Sequence, residues 1–295
     1  MKAYLLISHL RIHNANAMSS TLTIGVPAMT AWLGAVHALE RKLGERREPA
    51  LEGIRLVKTA VSYHKTNLQI YKGPGDYVNS LVGTANPLNE KGERPSFIED
   101  ARIHLSVSLL IEVERVDGNN MELLEQAVKE ILPQMKMAGG DILDIRKIQV
   151  MRIDEDNPIS VRKVISTLMP GYIPIERRAL MEAKELEGKD RTDRLLNSLK
   201  VHQMAEKDGS GKITGWKYEK AAAGWIAPLA VGFKGLSPLG KVKNQRDPDT
   251  PHRFAESIVT LGEFKMAHRF RDIDEMMWHY AYEETNQLYL CKNKE

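Results

Sequence analysis

Apolar residues recur along the first half of the chain with spacings of two and of about 3.6, and each change of period marks a new element. Lys2 to Ile12 alternates as a strand, with Leu6, Ser8, Leu10 and Ile12 on one side and Ile7, His9, Arg11 and His13 on the other. Pro27 then suits the first turn of a helix, in which Trp32, Val36, Leu39 and Leu43 form an apolar stripe ended by Gly44. Thr30, Gly34, His37 and Arg41 form a second stripe on that helix. "IRLVKTAVSYHKTNLQIY", from Ile54 to Tyr71, predicts one long strand or a hairpin, and Gly73 to Pro95 a long loop. In "RIHLSVSLLIEVE" His104, Ser106, Ser108 and Leu110 oppose Leu105, Val107 and Leu109, again a strand. "NNMELLEQAVKEILPQMKMAGG" predicts a helix lined by Leu124, Val128, Ile131 and Met135 and ended at Gly139 and Gly140, and "DILDIRKIQVMRI" a strand after it.

Strand, helix, strand, strand, helix, strand is the order of a ferredoxin-like unit. The expected fold class is therefore α+β: a ferredoxin-like (RRM-like) domain over residues 1–153 with a large mixed α/β C-terminal elaboration over 154–295. "DEDNPIS", 154 to 160, marks the boundary. Beyond it the pattern predicts helices around Val161 to Met169, Glu176 to Leu186 and Thr192 to Met204, then strands through "WKYEKAAAGWIAPLAVGF". A helix from His252 to Gly262, an acidic aromatic helix from Asp272 to about Tyr282 and a short terminal strand complete the expectation. The ferredoxin-like order serves many RNA-binding modules and many unrelated proteins, so it assigns no function alone.

Composition excludes a disordered chain, since 42% of the 295 residues are hydrophobic and 27% charged. A net charge of +3 names no partner, but its distribution is uneven. Lys234 to Arg271 carries eight Lys/Arg against four Asp/Glu, and Asp272 to Glu284 carries five acids and no Lys or Arg, which suggests separate basic and acidic surfaces or simply solvated faces. Cys291, alone, forms no internal disulfide and fits a reducing compartment, so a cytoplasmic location is expected. "MKAYLLISHL" followed by "ANA" mimics a signal peptide, but His9, Arg11 and His13 interrupt it. No apolar run approaches the roughly twenty residues of a membrane span.

Several stretches imitate chemistry without completing it. "EKDGSGKITGWK", Glu206 to Lys217, resembles a calcium loop, yet Lys217 stands where a bidentate Glu is required, so a hairpin turn is expected. The same segment lacks the first Gly and the final Ser or Thr of a phosphate loop. "YHK", Tyr63 to Lys65, holds the residue types of metal-free RNA cleavage, but on a strand His64 points away from its neighbours and the three converge only at a bulge. The other histidines show no metal-ligand spacing. Neither a catalytic site nor a metal or other cofactor is expected.

"NANAMSSTLTIGVP", Asn14 to Pro27, places short polar side chains between a strand and a helix. Asn14, Asn16, Ser19 and Ser20 either cap the helix or contact a polynucleotide, since such groups bond phosphates, 2′-hydroxyls and base edges without a charge. His13, His37 and Arg41 would supply a positive rim. This stretch, with "WLGAVHALERK", "NPLN", "ARIHLSVSLL", "MKMAGGDIL", "LMPGY" and "GWIAPLAVGFKGLSPLGKVKNQRDPDTPHRFAESIVTLGE", resembles in the same order the Csy-type second subunit of the type I-F CRISPR surveillance complex, the counterpart of the Cas-five subunits. The resemblance spans nearly the whole chain and is weakest from Glu182 to Lys220.

It implies a non-catalytic RNA-binding subunit that grips the crRNA 5′ handle and pairs with the large subunit. The backbone subunit would be a neighbour, with target DNA met mostly indirectly and no membrane involved. On its motifs Asn14, Asn16, Ser19, Ser20, Asn244, Arg246 and Arg253 fall on RNA-binding positions. Gly139 and Gly140 match a Gly-rich turn near RNA, or form an ordinary helix C-cap. The alternative function is a crRNA-processing endoribonuclease of the same superfamily. Trp278 and Tyr282 on the acidic helix are expected either at an interface with a partner subunit or wedged between layers.

Overall fold

A computed structural model describes residues 1–82, 88–93, 100–182, 190–245 and 247–293. The first half runs β1 (Lys2–Asn16), β2 (Met18–Ser20), β3 (Thr23–Ile24), α1 (Met29–Glu45), β4 (Arg55–Leu68), β5 (Ile70–Tyr71), β6 (Ser80–Leu81), β7 (Arg102–Glu114), α2 (Met121–Ile131), β8 (Lys136–Met137) and β9 (Gly140–Ile153). The second half runs α3 (Pro158–Thr167), β10 (Tyr172–Glu176), α4 (Arg191–Leu199), β11 (Val201–Lys207), β12 (Ile213–Lys220), β13 (Ile226–Gly235), β14 (Ala255–Met266), β15 (Trp278–Glu283) and β16 (Leu288–Asn293).

The protein is a mixed α/β molecule dominated by one antiparallel sheet, in the order β10-β14-β13-β16-β15-β4-β7-β1-β9-β8. Strands of both halves share it. β4 pairs with β15 at Thr59 and Trp278 and with β10 at Tyr63 and Tyr172, so β4, β15, β16, β13, β14 and β10 close into a ring. The 153/154 division thus falls at the end of β9 and not between two sheets. A charged cluster ties the halves nearby: Lys58 reaches Asp274 at 2.8 Å and Lys2 reaches Glu155 at 3.0 Å, with Glu112 at 3.6 and 3.7 Å from the two lysines.

Burial explains where alternation is clear and where it is not. Leu5 and Ile7 join the core that contains the buried faces of α1 and α2, while Tyr4 and Leu6 join a second core with Leu110, Val164 and Leu168 beside α3. The start of β1 is therefore apolar on both faces. At His9, whose φ is +50°, the register of β1 on β7 shifts by a bulge. Leu10 and Ile12 then join Ile7 in the first core, and Arg11 stands opposite Ser106 on the other face. Strict alternation had placed Leu10 and Ile12 opposite Ile7, and the bulge reverses that.

The helix stripe Trp32, Val36, Leu39 and Leu43 is buried as expected, and Ile54 to Tyr71 is one long strand followed by the short β5. Other expectations are corrected. The second helix stops at Ile131, with a 3-10 turn at Leu132–Gln134, because Pro133 lacks the N–H needed to continue it. Glu176 ends a strand, with only a 3-10 turn after it at Arg178–Leu180, and 183–189 lie outside the described residues. Thr192 to Met204 is helical only to Leu199, where β11 takes over. His252 to Gly262 is mostly β14, whose β-branched "IVT" pairs against β13. The acidic aromatic helix is a 3-10 turn at Asp274–Met276 and then strand β15. Met276, Met277 and Trp278 are all buried there, which an amphipathic surface helix does not require and an inner strand end does.

Candidate nucleic-acid interface

The opening stretch extends β1 and then folds back as the β2–β3 hairpin, and it does not cap α1, whose N-cap Ala28 makes no side-chain bond. Ser19 and Ser20 turn inward: their hydroxyls lie 2.8 and 2.7 Å from Thr23 Oγ1, and Ser20 Oγ accepts the Leu22 N–H at 3.2 Å. Asn14 adopts a left-handed conformation, φ +55°. Its N–H donates to His104 Nδ1 at 3.1 Å and its carbonyl accepts from Arg102 Nη1 at 3.4 Å. Asn16 donates its N–H to the Ala138 carbonyl and accepts the Met18 N–H on Oδ1, both at 2.9 Å. The Asn14 side chain and the Asn16 amide NH₂ have no bonding partner among the described residues, and both residues are exposed.

Ala138 and Gly139, with φ +50° and +79°, form the two-residue turn between β8 and β9. Both signs positive is the requirement of a type I′ hairpin, so "MKMAGG" is a hairpin and not a helix C-cap. A Cβ on Gly140 would lie 2.6 Å from the His13 carbonyl and 2.7 Å from the Ala15 nitrogen, so only glycine lets β9 approach β1 this closely. The structure thereby brings Asn14, Asn16, Gly139 and Gly140 into one patch. His13 and His104, rings stacked with centroids 4.1 Å apart, and Arg102, which pairs with Asp100, complete it. His104 and Arg102 were absent from the expected site, although the alternation of His104 with Leu105 had already put it on the polar side.

The remaining expected residues disperse. His37 lines a separate groove of about 570 Å³ with Glu40, Arg55 and Lys58, and Arg41 is exposed on α1. Asn244 sits in a turn at φ +62°, and Arg246 lies outside the described residues. Arg253 lies across Gly235, and its Nε is buried with no hydrogen-bond partner among the described residues. The β2–β3 hairpin packs on β13 and β14, so the opening stretch touches the strand that enters the basic segment and the one that lies within it.

The imitations of chemistry resolve locally. Asp208 Oδ1 accepts from Ser210 N–H, Ser210 Oγ and Lys212 N–H, bonds that make the β11–β12 hairpin turn and hold its carboxyl below the usual range. A bulge does occur between Tyr63 and Lys65, yet Tyr63 points into the core and accepts the Trp32 Nε1–H at 2.7 Å. Burial pushes its hydroxyl far above its ordinary value. Among the described residues no three His, Cys, Asp or Glu side chains form a metal-binding group.

Trp278 is fully buried, with its Nε1–H donated to the Pro174 carbonyl at 2.9 Å, so it presents nothing to a partner. Tyr282 is exposed, and it stands in register with Tyr289, itself in register with Phe233, an exposed aromatic row across β15, β16 and β13. No helix among the described residues is long and apolar enough to cross a membrane.

The family model described as CRISPR-associated protein (Cas_Csy2) matches residues 5–291. The CRISPR-associated protein Csy2 of Pseudomonas aeruginosa is 31% identical over 315 residues, covering 98% of this chain and 94% of that relative. On that match, which runs through the opening stretch, the glycine hairpin and the basic segment alike, the chain belongs to the Csy2 family of CRISPR-associated proteins.

Proposed function

We propose that this chain is a non-catalytic subunit of a type I-F CRISPR surveillance complex that binds the crRNA 5′ handle and pairs with the large subunit, in the cytoplasm of a prokaryote. The observation that carries the reading is the patch in which Asn14 and Asn16 are held by backbone bonds to His104 and Ala138 while the Asn14 side chain and the Asn16 amide NH₂ have no partner among the described residues. A loop fixed through its backbone, with its polar groups turned out, suits one defined strand of RNA. Four strands in the order β4-β7-β1-β9, with α1 and α2 in the connections and the C-terminal strands continuing the sheet, support the reading of this part as a ferredoxin-like unit. Arg253, a half-buried arginine in the basic segment, supports phosphate contact there. The Tyr282–Tyr289–Phe233 row offers the large subunit an aromatic surface. The backbone subunit and, indirectly, target DNA complete the partners of this reading.

Handle RNA is expected to bind several-fold more tightly than a scrambled sequence, and Asn14→Ala with Asn16→Ala to erase the preference. If 3 or 4 phosphates are neutralised, log affinity against log salt should fall with a slope of about −2 to −3, at roughly −0.7 per contact for single strands. Equal affinity for both sequences would refute sequence-sensitive gripping. The endoribonuclease alternative is tested with excess protein and end-labelled repeat RNA. No specific cut is expected with or without added metal, and a cut abolished by His64→Ala would establish the enzyme instead.

A further inference from the structure

On the face turned away from the core that packs on α1 and α2, the second core covers Tyr4, Leu6, Ala60 and Leu110, and beyond it β1, β4, β7 and β9 carry a polar surface. Two imidazole stacks stand on it. His9 lies flat on His64, with centroids 4.3 Å apart and planes within 1°, and His13 lies on His104. In each stack hydrogen bonds hold the inner ring in place. His64 Nδ1 donates to the Pro170 carbonyl at 2.6 Å, and its Nε2 lies 2.7 Å from Ser108 Oγ. Ser108 Oγ in turn accepts the His9 N–H at 3.0 Å. His104 Nδ1 accepts the Asn14 N–H, so its proton is on Nε2.

We propose that this face is a second RNA-contact surface, on which the outer rings His9 and His13, separated by Arg11, receive backbone phosphates. The proposal rests on the reading of the chain as an RNA-binding subunit and extends it beyond the Asn14–Asn16 patch, with which it is continuous through His13. The charges around the stacks favour an anion. Arg11 and Lys65 stand opposite Ser106 from its two sides, Lys147 stands opposite Ser8, and none of the three cations is in an ion pair among the described residues. The acids facing them are fewer: Asp141 opposite His13, already bonded to Lys136 at 2.6 Å, and Asp144 opposite Arg11. Asp100 is occupied by Arg102. Ser8 and Asn67 are the remaining neighbours, neutral donors suited to phosphate oxygens.

Binding is then coupled to protons. Burial first, and then the nearby His64 and Arg146, hold His9 below the ordinary imidazole value, and burial and His13 do the same to His104. A phosphate set against His9 or His13 stabilises the protonated outer ring, so RNA binding takes up protons and tightens as pH falls. The free protein responds oppositely. His9 and His104 bind protons less readily when folded, so the unfolded chain gains protons first and stability declines as pH drops below about 6.5.

The test measures anisotropy of a labelled handle oligoribonucleotide and a scrambled one with the full chain at pH 7.5 and 6.0, at fixed salt, beside melts without RNA. Affinity should rise about 3- to 10-fold on acidification, within the tenfold per pH unit that one fully linked proton allows. His9→Gln/His13→Gln should abolish that rise. His13→Gln alone, at an exposed position, should halve its logarithm if the double variant does not fold, and Arg11→Gln should weaken binding equally at both pH values. A preference for the handle with a flat pH response, or a rise that survives the substitutions, overturns the proposal and leaves the handle reading standing. A proton-linked rise shared equally by both sequences supports this surface and removes handle specificity. No binding of either sequence overturns both.

Discussion

Trp278→Ala is expected to destabilise the protein by about 3–5 kcal/mol, the range for deleting a buried large aromatic side chain. Trp278 is wholly buried, and its loss would leave both a cavity and the Pro174 carbonyl without its donor. It also sits where β15 joins β4, so the void opens at the seam of the strand ring. Against a total stability of roughly 5–15 kcal/mol this is a large fraction, visible as a much lower urea midpoint or as insoluble protein. Tyr282→Ala, four residues on and 60% exposed, should stay within about 0.5 kcal/mol of wild type and reduce copurification of the large subunit. A Trp278→Ala protein that unfolds with wild type would contradict the buried placement, and undiminished copurification with Tyr282→Ala would remove the aromatic row from the interface.

Gly140→Val should be comparably damaging, at about 3 kcal/mol. The atoms its Cβ would meet are the His13 carbonyl, the Ala15 nitrogen and Ile12 Cγ2, all within 2.7 Å, and two of the three are backbone that cannot rotate away. β9 must therefore move off β1. Gly139→Ala is a milder contrast: its added carbon meets only Asn16 Cβ at 3.9 Å, and the cost is the left-handed backbone at φ +79°, about 1 kcal/mol. Because His13 and Ala15 flank Asn14, the folded fraction of Gly140→Val should also bind handle RNA less well than Gly139→Ala does. Denaturation and RNA-binding curves on the pair separate the two effects, and a Gly140→Val protein as stable as Gly139→Ala would show that the strands tolerate a wider spacing.

These positions mark what the sequence made legible. Where one face meets a core and the other meets water, as in residues 102–107 and the stripe of α1, period alone located the element. It failed where a strand is buried on both sides or its pattern is short. Ala255–Met266 and the residues from Asp274 to Glu283 carry apolar groups at spacings that fit a helix equally well, and only their sheet neighbours decide the matter. The proposed RNA patch was half legible. Asn14 and Asn16 announced themselves by composition, whereas His104 and Arg102 join them through a register spanning about ninety residues, which no local pattern encodes. His9 was legible as polar but not as stacked on His64, since that depends on bulges in both β1 and β4. Ser19 and Ser20 show the converse, because polar side chains in a loop can spend their bonds on the loop itself.

The ring through β4 has a bearing on how the protein is made. β4 meets β7 along one side, but its other side is covered by β10 and β15, which leave the ribosome long after it. Until they arrive, the growing chain holds a strand with unpaired N–H and C=O groups, the kind of edge that recruits other chains. A nascent chain paused after residue 153 would present that edge together with the uncovered apolar side of Tyr4, Leu6 and Leu110. The second half thus supplies the partners that close this edge of the first, and the proposed nucleic-acid contact must wait for the stretch that completes the sheet.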